Sequence, residues 1–179
     1  MRTVNLFVLA AVLTLSGCAS TGNPESRATQ NIRVVDGDTV EISTERGNET
    51  VRLIGIDTPE THAENTPREF DLPRTQAARR CLGRKGKAAT RRVKSLVDSQ
   101  NTSVSTDPAA DRRGDYGRLL AYLYAGNTSV NRQLVEEGLA RVYPSQFSHR
   151  GRYEALESRA VAERRGVWEC LRFRRDPTS

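Results

Sequence analysis

Four carboxylates and two arginines stand at the ends of apolar runs, where they can meet a bound ion or an anionic group. Asp36 and Asp38 flank a glycine in Asp36-Gly37-Asp38-Thr39-Val40 at a strand junction. Two residues apart, they can share one side of an extended chain. In isolation the signal is weak, and the pentapeptide reads more simply as an Asp-Gly hairpin turn. In Arg52-Leu53-Ile54-Gly55-Ile56-Asp57-Thr58-Pro59-Glu60 an apolar run stops abruptly, which delivers the hard oxygens of Asp57 and the carboxylate of Glu60 to the end of a strand. Thr58, directly before a proline, is biased to an extended conformation that leaves its carbonyl free to point outward. The same residues also suit a helix start, with Asp57 or Thr58 as the cap and Pro59 at the first position. Asp115-Tyr116-Gly117-Arg118-Leu119-Leu120-Ala121-Tyr122 adds Arg118 at the start of a strand. A guanidinium there can grip a phosphate at two points, although an arginine on a strand face is commonly just exposed.

Around these residues, Ile32 to Val35, Thr39 to Ser43 and Glu49 to Ile56 read as a three-stranded meander separated by Asp-Gly and Gly-Asn turns. Arg52 and Asp57 are five apart and would face opposite sides of a regular strand, so a bulge or bend near Gly55 is required. A polar stretch from Thr61 to about Lys85 reads as a long loop. From Lys87 the period changes, and Ala89, Val93, Leu96 and Val97 mark one face of a helix. Thr102 to Thr106 and Tyr116 to Tyr124 complete five strands, with Arg118, Leu120, Tyr122 and Tyr124 on one face of the last. Two further helices are expected, one from Ser129 to Gly138 and one through Tyr153, Leu156, Ala160 and Val161 to Gly166, with Trp168 closing the core. This order is neither a repeat array nor a βαβ series. It predicts an α+β fold, a five-stranded OB barrel with three helices.

Taken together and in this order, the three motifs resemble the staphylococcal nuclease (thermonuclease) family, whose hallmarks are an Asp-Gly-Asp-Thr-Val strand, an Arg-Leu-x-x-x-Asp-Thr-Pro-Glu segment and a Tyr-Gly-Arg-x-Leu-Ala-Tyr strand. The similarity extends to Gly138-Leu139-Ala140-Arg141-Val142-Tyr143 and Gly166-Val167-Trp168. It implies a Ca2+-dependent enzyme that hydrolyses phosphodiester bonds of DNA, RNA or both and leaves 3′-phosphate and 5′-hydroxyl ends. Carried over by position, Asp38, Asp57 and the carbonyl of Thr58 would hold calcium, with Asp36 standing behind them. Glu60 would activate water, and Arg52 and Arg118 would stabilise the transition state. Tyr116, Tyr143 and Lys87 would touch the substrate. The loop from His62 to Lys85 is longer and more basic than the family pattern, which leaves substrate preference open. His62 and His149 are read as bystanders. The competing reading is a catalytically silent OB module that binds nucleic acid, in which several of Asp38, Arg52, Asp57, Glu60 and Arg118 would normally be missing.

The chain of 179 residues, 36% apolar, has the size of one compact unit. Its parts are expected at 1–17, 18–29, 30–171 and 172–179: a signal peptide, a flexible tether, the barrel domain and a tail. Arg2 precedes an uncharged run from Val4 to Leu15 that is too short for a mature membrane span. Leu15-Ser16-Gly17-Cys18 then resembles a bacterial lipobox, so Cys18 is expected to carry a lipid that holds the exported protein on a membrane as a monomer. Cys81 and Cys170 remain as a pair in an oxidising compartment, where a disulfide is possible. Without Arg2, 27 Lys and Arg face 22 Asp and Glu, a net charge of +5 that suits a polyanionic partner or a merely soluble surface. The excess concentrates between positions 79 and 94, where eight basic residues occur with no acidic one, a block that either follows a phosphate backbone or is simply solvated. Mass spectrometry of the exported protein should find a diacylated or triacylated Cys18 at the N-terminus. An unmodified N-terminus at another residue would remove the anchor.

Overall fold

The computed structural model describes residues 26–29, 31–44 and 47–175. The expected signal peptide, Cys18 and most of the tether lie outside the described residues. Within them, no helix is long and apolar enough to cross a membrane.

The barrel wall follows from alternation. β3 (Thr39–Thr44) buries Val40 and Ile42 and turns Glu41 and Ser43 away. β4 (Gly47–Leu53) pairs antiparallel with it and buries Val51 and Leu53. β2 (Ile32–Val34) lies on the other side of β3. After β4 the chain crosses over and returns through β6 (Thr102–Ser105) and β7 (Leu119–Ala125), an antiparallel pair. β7 then joins β4 in parallel, with Val51 opposite Leu119 and Leu53 opposite Ala121.

The sheet closes through residues expected in the tether. Ser26–Ala28 form β1, antiparallel to β6, while β2, a few residues later, pairs with β3. The two short strands thus join opposite edges of the sheet, as the bent first strand of an OB barrel does. With β1 and β2 taken as one strand, β3, β4, β6 and β7 make the five predicted walls, and the fold is the expected α+β one. Among the described residues three shorter strands lie outside the count: β5 (Ile56–Asp57), β8 (Thr128–Ser129) and β9 (Arg141–Val142).

Three expected boundaries change. The 61–85 stretch is not an open loop: Pro67–Phe70 form a short 3-10 turn that buries Phe70, and Leu72 is buried as well. α1 starts at Gln76 rather than Lys87 and runs to Val97, capped by the Thr75 hydroxyl, which accepts from the Ala78 N–H at 3.2 Å. Its first half buries Ala78, Cys81, Leu82 and Gly86. With Leu82 as the one large apolar side chain among them, they give a weak apolar stripe between arginines, which is why the pattern shows only after Lys87. The strand predicted from Tyr116 begins at Leu119 instead, because Tyr116 (φ +62°) and Gly117 (φ +72°) are left-handed and turn the chain. α2 (Val130–Glu136) is capped by Ser129, and α3 (Arg150–Ala162) follows.

Two apolar clusters result. The barrel holds Val40, Val51, Leu53, Leu123 and Leu134. A smaller one packs Phe70, Leu72 and Leu82 with Val167 and Trp168 around a Cys81–Cys170 disulfide. With a sequence separation of 89 between its cysteines, that bond restricts the unfolded chain by about 4 to 5 kcal/mol in the chain-entropy account.

Asp107, 5% exposed, locks the turn after β6 to the start of α3. It accepts from the Ser148 N–H and hydroxyl, both at 2.6 Å, and from Tyr122 Oη at 2.5 Å. Burial pushes its carboxyl up, but these donors outweigh burial and hold it below the usual range. A carboxyl lowered on folding contributes stability that is complete above its unfolded pKa of about 4 and lost as pH falls through the folded value. Asp107→Asn should therefore cost about 2 to 3 kcal/mol near neutral pH, with the difference from wild type shrinking at about pH 3. Urea titrations at the two pH values measure this, and equal losses at both would deny the ionised carboxylate its role.

Candidate functional site

The site forms where strand ends meet. Asp38 immediately precedes β3, and Arg52 sits one residue before the end of β4, directly opposite Thr39. Gly55 then takes φ +75° in the turn after Ile54. A Cβ there would come within 2.6 Å of the Phe147 ring, so both the backbone conformation and the space demand glycine. The bend predicted from the five-residue spacing is thus present, and it sends β5 out of the main sheet to pair with β9. Asp57 at the end of β5 is thereby returned to Arg52.

The result is one guanidinium held between two buried aspartates. Arg52 Nη2 lies 2.7 Å from Asp57 Oδ1, and Nη1 contacts Asp38 Oδ1. Asp38 also accepts from the Thr39 hydroxyl at 3.0 Å and from the Thr58 N–H at 2.9 Å. Burial pushes the Asp38 carboxyl up, against the pull of Arg52 and the Thr58 N–H. Burial works against the charged form of Arg52 too, but Asp38 and Asp57 together keep it more firmly protonated than usual.

Glu60 projects from the same loop. Its backbone is clamped by Asn65, whose Oδ1 accepts from the Glu60 N–H at 2.9 Å and whose Nδ2 donates to the Glu60 carbonyl at 3.0 Å. Partial burial raises the Glu60 carboxyl, and the neighbouring charges of Asp38, Asp36 and Asp57 raise it further. Asp36 braces this loop against α1: its Oδ1 accepts from the Thr90 hydroxyl at 3.1 Å and its Oδ2 from the Thr61 N–H at 3.4 Å. One helical turn before Thr90, Gly86 allows the helix to close on the loop, since a Cβ there would lie 2.2 Å from the Pro59 carbonyl oxygen.

Arg118, just ahead of β7, shares with Arg52, Gly55, Asp115 and Tyr143 a cavity of about 140 Å³. Tyr116 is 96% exposed beside it, with the Arg118 guanidinium 5.9 Å from its ring centre. Asp38, Arg52, Asp57 and Thr58 are thus joined by direct contacts. Glu60 and Asp36 flank them, and Arg118 and Tyr143 meet Arg52 across the cavity. Lys87 stands apart, on the exposed side of α1.

Two residues escaped the sequence reading. Asn65 lay in a stretch read as loop. Arg141 lies directly opposite Asp57 in the β5–β9 pair, and its Nε and Nη2 reach Asp57 Oδ2 at 2.9 and 2.8 Å. Its guanidinium also covers the Phe70 and Tyr143 rings at 5.5 and 5.9 Å. The register that makes this pair is set by the Gly55 bend, and no local pattern around Arg141 announces it.

Calcium takes hard oxygen ligands, and this donor set suits it. Asp38 and Asp57 are buried carboxylates drawn to a common positive charge, and Glu60 and Asp36 leave the cluster rich in negative charge. Among the described residues no three His, Cys, Asp or Glu side chains converge on one point. The expected ligands need only two side chains, because the third donor is the Thr58 carbonyl. The Thr58 hydroxyl is buried without a hydrogen-bond partner, and a Cβ at Gly37 would stand 2.7 Å from it.

The family described as "Staphylococcal nuclease homologue" matches residues 50–170. That span contains Arg52, Asp57, Thr58, Glu60, Arg118 and Tyr143, whereas Asp36 and Asp38 precede it. The chain is 36% identical over 139 residues to the SPbeta prophage-derived endonuclease YokF of Bacillus subtilis (strain 168), covering 76% of this chain and 42% of that protein. It is 32% identical over 156 residues to Endonuclease YncB of the same strain, covering 82% and 67%. With a Thermonuclease of Staphylococcus intermedius it shares 35% identity over 139 residues, covering 76% and 73%. The chain therefore spans less than half of the first relative's length.

Removing Arg141 leaves one oxygen of a buried carboxylate without its cation. Arg141→Leu should destabilise the protein by about 3 kcal/mol. A double-mutant cycle with Asp57→Asn should show a coupling above about 1 kcal/mol, and simple additivity would mean that the pair is not formed in solution.

Proposed function

The chain belongs to the staphylococcal nuclease family, and from that premise we propose that it is a calcium-dependent nuclease that hydrolyses DNA, RNA or both. The observation that carries the reading is that Arg52, held between Asp38 and Asp57, shares one cavity with Arg118 while Glu60 stands on the adjoining loop. All five residues whose loss would mark a silent binding module are present and gathered.

Asp38, Asp57 and the Thr58 carbonyl would hold the ion. Bound there, calcium supplies positive charge to the scissile phosphate and favours ionisation of water. Arg52 and Arg118 would hold the non-bridging phosphoryl oxygens and offset the charge that grows on them. In the structure Arg52 directs Nη1 and Nη2 to Asp38 and Asp57, so in this role those two carboxylates turn to the ion and free the guanidinium for the phosphate. The Glu60 carboxylate would take a proton from the attacking water. Among the described residues no guanidinium pairs with it, which leaves an oxygen available for that proton. The net reaction places the hydroxyl of water on phosphorus and a proton on the departing 5′ oxygen, giving 3′-phosphate and 5′-hydroxyl ends. Tyr116 and Tyr143, both exposed, offer rings to nucleobases beside the cavity.

The test is incubation of the purified protein with single- and double-stranded DNA and RNA, with calcium or a chelator, together with calcium titrations of variants. Cutting should require calcium. Asp38→Asn and Asp57→Asn should weaken calcium binding itself. Arg52→Lys keeps the charge but loses the two-point grip, and should lower turnover by about 10² to 10³ with calcium still bound. Glu60→Gln should likewise spare calcium affinity and depress turnover. Calcium-independent cutting, or normal turnover in Arg52→Lys or Glu60→Gln, would refute these roles. Nucleic-acid binding without any cutting would favour the silent module.

A further inference from the structure

α1 carries eight basic residues between Arg79 and Lys94, and the structure divides them into two groups. Three are paired: Arg79 with Glu64 at 3.0 Å, Lys85 with Glu169 at 2.8 Å, and Arg92 with Glu137 at 2.6 Å. The other five, Arg80, Arg84, Lys87, Arg91 and Lys94, are all exposed, and among the described residues none has a carboxylate partner. Their spacing of four, three, four and three residues is the repeat that returns to one helical face. At about 1.5 Å rise per residue they form a straight row about 21 Å long, with steps of about 6 and 4.5 Å.

Like charges at these spacings repel each other along the helix. The neighbouring carboxylates engage the three cations at the flanks and leave the row alone. A row of that length spans about six steps of a duplex strand, at about 3.4 Å per phosphate. It also runs beside the site, because the adjacent face of α1 meets the Pro59–Glu60 loop through Gly86 and holds Asp36 through Thr90. An anionic lipid surface is the other polyanion such a row can meet. Helices that lie on membranes place large apolar side chains beside their cations. The only large exposed apolar residues among those described are Tyr116 and Tyr143, neither of which is on α1.

We propose that the row from Arg80 to Lys94 is a track for the phosphate backbone of a nucleic acid longer than the catalytic cavity holds. It binds the polymer outside the reacting phosphate. The inference rests on the nucleic-acid substrate proposed above and extends it: preference for long polymers is set on α1, while the chemistry is set at Arg52. Lys87 then contacts substrate as one member of the row.

The test compares the wild-type protein with Arg84→Gln/Arg91→Gln, and with Lys85→Gln as a control from the paired group. Fluorescence anisotropy of a labelled duplex of about 30 base pairs is followed across a salt series without calcium. Losing two phosphate contacts should make the slope of log K against log salt shallower by about 1.8. Affinity for the duplex should fall at least tenfold, whereas Lys85→Gln should leave both nearly unchanged. In the presence of calcium, turnover of a dinucleotide substrate should be the same in all three proteins. A salt slope unchanged in the double variant, an equal loss on the dinucleotide, or absence of any duplex binding by the wild type would overturn the proposal. So would lost binding to phosphatidylglycerol vesicles with duplex binding intact, which would assign the row to a membrane. If the wild type binds the duplex with the expected slope change but never cuts it, the track stands and the nuclease reading fails.

Discussion

Arg52 is the constraint on which the rest of the site depends. A guanidinium in a mostly buried position is tolerable only when its donors meet charged acceptors, and Asp38 and Asp57 supply them from opposite sides. Each aspartate in turn needs more than one donor. Asp38 receives Thr39 and the Thr58 N–H, and Asp57 receives Arg141. The set closes only if the chain reverses within the four residues between Arg52 and Asp57. That reversal falls on Gly55, where Phe147 fills the space of any side chain. A packing contact from the far end of the chain thus fixes the register of a charge network at the barrel rim.

The second dependency is α1. Its buried face joins the barrel to the smaller apolar cluster, and the disulfide at Cys81 ties its first half to the C-terminal turn. The same helix touches the site at Gly86 and Thr90. Gly86 lets the helix close on the loop that carries Glu60, and Thr90 holds Asp36, which accepts from the Thr61 N–H of that loop, so a residue of the candidate chemistry is positioned by helix packing as well as by the sheet. Asn65 completes the arrangement by bonding both backbone groups of Glu60. A carboxylate on a loop becomes a directed group because its backbone has no freedom left.

What was legible in the sequence was whatever local periodicity or a contiguous motif determines. Val40, Ile42, Val51 and Leu53 alternate because one face of the sheet is wet, so the strands could be read directly. The conflict between the Arg52–Asp57 spacing and a regular strand was enough to demand a bend at Gly55. Long-range pairing was not legible. Arg141 faces Asp57 through an 84-residue separation, and Ser26–Ala28 become a strand only because β6 presents an edge to them. The start of α1 was hidden for another reason: Ala78, Cys81, Leu82 and Gly86 bury a helix face with little apolar volume, while arginines dominate the composition. At Tyr116 the alternation continued on paper, but a left-handed backbone at Tyr116 and Gly117 ends the strand pattern early and turns Tyr116 outward.

Charge placement across the molecule follows one physical rule with two outcomes. Where a cation is drawn into the protein, desolvation must be offset, and Arg52 and Arg141 accordingly meet carboxylates in close geometry. Where a cation stays in water, pairing contributes little to stability, and nothing in folding requires a partner for it. The exposed row on α1 belongs to the second class, so its absence of carboxylates costs only the small mutual repulsion of solvated like charges. It does carry an electrostatic consequence, because unpaired cations in a line keep a field that paired ones would cancel. The buried and exposed arginines therefore divide two tasks between them. Those held by aspartates fix the geometry of the barrel rim, and those left unpaired retain a long-range attraction for polyanions.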